Sequence, residues 1–67
     1  MEFKDNVKAV RARLFITQEQ LAKALGCTVI TVNRWENGKK PPSFILEQKF
    51  KKFCKDNSIN IDELESV

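Results

Sequence analysis

Gly26-Cys27-Thr28 divides two short segments that each carry the marks of a helix, and so tight a joint leaves few folds open. Upstream, Thr17 and Gln20 make a T-x-x-Q capping box, and Ile16 and Leu21 are spaced as a hydrophobic staple. These signals predict a helix from about 18 to 25, burying Leu21, Ala22 and Leu25 and ending at Gly26. Glycine at that point can take the left-handed conformation that ends a helix without a Cβ penalty.

Downstream, "CTVITVNRWENG" is rich in β-branched residues, which are stiff at χ1 and favour strands. Strict alternation nevertheless fails, because Val29 and Ile30 are adjacent and Asn33 and Arg34 follow Val32. A helix with Thr28 as N-cap accounts for the stretch better. At ~100° per residue, Val32, Trp35 and Thr28 fall on one side. Ile30, Asn33, Arg34 and Asn37 fall on the other, with Val29 and Glu36 at one edge and Thr31 at the opposite edge. Val32 and Trp35 suffice for packing, so Ile30, with Val29 beside it, is an apolar side chain offered to solvent. Asn37-Gly38 closes this helix.

Elsewhere Phe3, Val7, Val10 and Leu14 recur at four, three and four residues, predicting a first helix over about 3–14. "KKPPS" reads as a loop, with proline fixing the entry to a fourth helix over about 43–56 that buries Leu46, Phe50 and Phe53. Asn57 and Ser58 break that helix. A last short turn is expected from Asp62, capped by D-x-x-E, with Ile59, Ile61 and Leu64 over the end of the core. The expected fold is all-α: five short helices around one core, in a single domain over 1–67, with a helix-turn-helix at about 18–36. There is no internal repeat, low-complexity segment or interdomain linker.

Charge narrows the class of partner. Residues 1–55 carry all twelve basic groups against five acids, a net +7, whereas residues 56–67 carry four acids and no base. A basic body of this kind suits a polyanion. The lysines at 49, 51, 52 and 55 fit either that partner or an ordinary solvated helix face. The two cysteines, Cys27 and Cys54, are too few for a disulfide scaffold and read as reduced core thiols. No histidine, Gly-rich phosphate loop or paired carboxylates on one face argue for an enzyme, a metal, a cofactor or a small-molecule substrate. The longest apolar runs are three residues, so no membrane span or secretory signal is expected, and the chain reads as soluble and cytoplasmic.

Taken together, Gln18-x3-Ala22-x3-Gly26-x5-Val32-x2-Trp35-Glu36-Asn37-Gly38 resembles the lambda-repressor-like (Xre/Cro-type) DNA-binding domains. The resemblance extends to the first helix with Arg11, the proline-bearing loop and the "INIDEL" ending. It implies a five-helix fold whose third helix enters the major groove of double-stranded DNA. There Arg34 would take a guanine through O6 and N7, Asn33 an adenine edge, and Val29 or Ile30 a thymine methyl. Duller roles stand beside these: a phosphate contact for Arg34, plain exposure for Asn33, self-association for Ile30. In related domains a glutamine placed as Gln18 is meets the DNA backbone and braces the recognition helix. Thr17, Thr31, Asn37, Lys39 and Lys40 are further backbone candidates, since helix N-termini and loop cations suit phosphate. The resemblance also implies a mostly buried ion pair between Arg11 and Glu36.

One departure is visible. Many relatives have glycine between the first two helices, where this chain has Phe15. A bulky residue disfavours positive φ, so a locally different turn is expected, with Phe15 covering the core. The function implied is that of a bacterial or phage-type transcriptional repressor, possible as a homodimer on two half-sites. Ile59, Ile61, Leu64 and Val67 serve equally as a dimer interface or as a cap on the monomer core. The competing class is a protein-interaction adaptor, such as an antitoxin-like module, or the DNA-targeting domain of a larger enzyme.

Overall fold

In the computed structural model, residues 2–39 and 41–61 are described. Among them four helices follow in order: α1 (Phe3–Leu14), α2 (Gln18–Leu25), α3 (Val29–Glu36) and α4 (Phe44–Asp56). Five helices were expected; the turn placed from Asp62, with Leu64 and Val67, lies outside the described residues. The strand-loving stretch after Cys27 is helical, and no strand occurs among the described residues.

Each start has a local cause. The Glu2 backbone N–H donates to Asp5 Oδ2 at 3.2 Å ahead of α1. Thr17 Oγ1 accepts from the Gln20 backbone N–H at 3.0 Å while Gln20 Oε1 accepts from that of Thr17 at 2.8 Å, the expected reciprocal box. Thr28 and Ser43 cap α3 and α4 by accepting from the backbone N–H of Thr31 and Leu46. The stops are equally local. Gly26 ends α2 at φ 73°, inside the left-handed region.

The core gathers Val7 and Val10 from α1, Leu21, Ala22 and Leu25 from α2, Val32 and Trp35 from α3, and Phe50 and Cys54 from α4. Phe3 sets its ring edgewise against both Trp35 and Phe50, with centroids 5.3 Å apart in each pair. This geometry suits aromatic quadrupoles. On α4 the buried positions are Phe50 and Cys54, while Leu46 and Phe53 are only partly covered, a shift of the buried stripe by one residue. Ile59 joins the core and Ile61 packs partly against it, so the capping role holds for both. Cys54 is a buried free thiol whose pKa burial pushes up to about 11; Cys27 is free and half-buried.

The turn after α1 corrects the expectation for Phe15. It adopts φ 55° and ψ 43°, the left-handed conformation, and its side chain is 94% exposed rather than over the core. Closure of the helix explains this. Phe15 N–H donates to the Ala12 carbonyl, and Ile16 N–H reaches back to that of Arg11 at 3.1 Å. Those bonds require a left-handed residue at position 15, and they deliver Ile16, not Phe15, to the core. The exposed ring is the consequence.

Candidate nucleic-acid interface

The outer side of α3 is where sequence placed it. Val32 and Trp35 face inward, and Ile30, Asn33 and Arg34 are exposed. Ile30 is 61% exposed and Val29 41%, so two apolar side chains on an eight-residue helix stay outside the core. Thr31 is half-buried, and its hydroxyl lies 3.1 Å from that of Thr28. Among the described residues neither Arg34 nor Lys39 has an ion-pair partner. Lys39 is exposed on the loop after Gly38, and Lys40 lies outside the described residues.

Behind this face sits the ion pair. Arg11 Nε donates to Glu36 Oε2 at 2.5 Å and Nη2 donates to Oε1 at 2.8 Å, a two-pronged clasp between α1 and α3. Arg11 Nη1 also donates to the Ile16 carbonyl at 3.2 Å, tying the clasp to the turn that precedes α2. The Glu36 side chain is only 6% exposed and that of Arg11 24%, so the pair is mostly buried. Burial opposes the carboxylate, but hydrogen bonds from Arg11 and Gln18, with the charges of Arg11 and Lys8, outweigh it. The Glu36 carboxyl is held below its usual value. The hydrogen bond to Glu36 raises the Arg11 guanidinium in turn, against the lowering effect of its own burial.

The structure shows which residues of α3 Gln18 meets, the bracing that the resemblance implies. Gln18 Nε2 donates to Glu36 Oε1 at 3.2 Å, and Asn33 Nδ2 donates to Gln18 Oε1 at 3.4 Å. Asn37 Nδ2 donates to Asn33 Oδ1 at 3.0 Å. A polar row thus runs from the buried pair out to the exposed side of α3. Spacing within one helix could suggest Asn33 and Asn37 as neighbours four apart. The link from Gln18 to Asn33 depends on how α2 crosses α3, which no local signal carries. Ser43, expected only as the start of the fourth helix, also stands beside this face. It lines a hollow of about 150 Å³ together with Thr31, Arg34 and Pro41, setting the α4 N-terminus beside α3.

With this geometry in view, likeness to known proteins decides the family. A helix-turn-helix family model, HTH_3, matches residues 7–46, more than half of the chain. The chain belongs to the Xre/lambda-repressor-like helix-turn-helix family. The match spans the Gln18-to-Gly38 motif and reaches Leu46 on α4. The chain is also similar to the HTH-type transcriptional activator BcrR of Enterococcus faecalis, at 36% identity over 64 residues. That match takes in 96% of this chain but only 30% of the relative. Comparison with solved structures gives no significant match. No helix among the described residues is long and apolar enough to cross a membrane.

Proposed function

We propose that this helix-turn-helix domain binds double-stranded DNA sequence-specifically, with α3 in the major groove, and thereby regulates transcription. The observation that carries the reading is the free side of α3, where Ile30 is 61% exposed beside Asn33 and Arg34. Ile30 stands apolar beside two polar side chains that suit base edges, and a thymine methyl would cover it. In this reading Arg34 takes guanine through O6 and N7, Asn33 takes adenine, and Val29 and Ile30 meet thymine methyls. Thr17, Gln18, Thr31, Asn37, Lys39 and Lys40 hold the phosphates and set register.

The sign of regulation is a separate matter. The sequence resemblance implies repression, while the similar Enterococcus faecalis protein is named an activator; a groove-binding α3 serves either. The domain is proposed to act as one unit over 1–67.

Selection of preferred duplexes from a random DNA pool, followed by affinity in rising salt, tests the proposal. A preferred sequence should emerge, with affinity falling steeply as counterions are released. A palindromic winner would add a two-fold dimer to the account. No preferred sequence, with salt-insensitive binding or none, would contradict it.

A further inference from the structure

We infer that the first turn of α3 reads a pyrimidine by its C5 methyl alone, so that methylating a cytosine under Val29 and Ile30 makes the duplex a tighter ligand. The ligand class this adds is double-stranded DNA carrying 5-methylcytosine. The inference rests on the proposed reading of α3 as the base-contacting helix, and extends it from base sequence to a covalent mark on the base.

The first turn of α3 offers a base mainly carbon. Val29 and Ile30 open the helix, both are exposed, and neither side chain donates or accepts a hydrogen bond. The hydroxyls that flank them are engaged with each other. Thr28 Oγ1 accepts from the Thr31 backbone N–H at 3.3 Å and lies 3.1 Å from Thr31 Oγ1. No acid stands in this turn, and Glu36, the only carboxylate of α3, is buried in its clasp with Arg11. Asn33 and Arg34, one turn further on, are the side chains suited to purine edges.

Pyrimidines differ at two places in the major groove. Thymine shows an acceptor at O4 and a methyl at C5, whereas cytosine shows a donor at N4 and only hydrogen at C5. A carboxylate is the side chain that suits the N4 donor, and this end of α3 has none. The C5 difference is read by an apolar surface, which Val29 and Ile30 supply. 5-Methylcytosine sets thymine's methyl on cytosine's ring at the same carbon, so an apolar surface meets the same group on either base. Covering one methyl is worth about fourfold in affinity. Uracil, which is thymine without that methyl, makes the reverse change.

The test measures affinity of the whole chain for the selected duplex and its modified forms at one salt concentration. Each thymine is replaced by uracil in turn, and one replacement should cost wild type about fourfold. That pair is then exchanged for G·C, with and without a methyl on its cytosine. Methylation there should raise affinity by about fourfold, matching the uracil loss, while methylating cytosines elsewhere should change it by less than twofold. The double variant Val29→Ala, Ile30→Ala shortens both side chains and should bring the uracil and methyl effects below twofold. Wild type indifferent to uracil at every thymine, or to the methyl at the exchanged pair, would overturn the inference. So would an equal gain from every methylated cytosine, or a gain undiminished in the double variant, because the effect would then lie in the duplex and not against α3. If wild type selects no duplex, the reading of α3 fails and takes this inference with it, a result distinct from a selective wild type indifferent to methylation. Circular dichroism checks folding. Should the double variant not fold, the wild-type contrast between the exchanged pair and the other cytosines decides.

Discussion

At the scale of single residues, the Arg11–Glu36 pair is where one change has the largest expected effect. Coulomb attraction inside the protein roughly offsets the desolvation of two charges, so the intact pair contributes little net stability. Removing one partner is different, because it strands the other. Glu36→Ala should lower stability by ~3 kcal/mol, the lower end for a broken buried pair because Arg11 keeps some access to water. Glu47 pairs with Lys51 at 3.3 Å on the exposed side of α4, and Glu47→Ala should change stability by no more than ~0.5 kcal/mol. Equal thermal midpoints for the two variants would remove the pair from the account.

Titration offers a second view of the same pair. The folded Glu36 carboxyl is held below the usual 4.5, so its stabilisation is complete above that value and is lost as pH falls through the lowered one. The melting temperature of wild type should therefore exceed that of Glu36→Gln near neutral pH, with the gap closing below about pH 4.5. A gap that widened on acidification would contradict the assignment. Phe15 makes the opposite prediction. Its left-handed backbone is unfavourable by ~1–2 kcal/mol, and its exposed ring has little packing to lose. Glycine's greater freedom in the unfolded chain offsets part of the gain, so Phe15→Gly should stabilise by ~0.5–1 kcal/mol. A melt that moved downward would show that the ring contributes more than its exposure implies.

At the scale of elements, caps and stops were legible while strain was not. Thr17 with Gln20, Thr28 and Gly26 mark their helix ends through bonds that span three or four residues, so sequence alone locates them. Phe15 was misread because its conformation is set by closure of α1 and by the delivery of Ile16 to the core, a demand stronger than the residue's own preference. The buried stripe of α4 slipped to Cys54 because four-and-three spacing fits Phe50 with either Leu46 and Phe53 or Cys54. Helix α3 is the element most exposed to perturbation, with β-branched residues at four of its eight positions and a single hydroxyl cap. Thr28→Ala should destabilise by ~1 kcal/mol, and hydrogen exchange should quicken at the Thr31 amide. Unchanged protection there would show that packing by Val32 and Trp35 holds the first turn without the cap.

At the scale of the whole molecule, the excess of basic groups in residues 1–55 gives a long-range attraction for phosphate that is independent of sequence. In the proposed reading, the outer side of α3 adds selectivity to it. The fold and the outward placement of Ile30, Asn33 and Arg34 followed from periodicity. That Gln18 braces α3 followed from the family resemblance, but its particular partners, Glu36 and Asn33, did not, because they are set by packing between helices. Attraction and selection should separate when the two kinds of basic residue are removed one at a time. The decisive comparison is the affinity of Arg34→Ala and Lys39→Ala for the selected duplex and for a scrambled one at the same salt. Arg34→Ala should lose ~1–3 kcal/mol on the selected duplex, lose far less on the scrambled one, and relax preference at one base pair. Lys39→Ala should weaken both duplexes alike, with a salt slope reduced by about 1. Equal losses on both duplexes for Arg34→Ala would contradict base reading by the free side of α3.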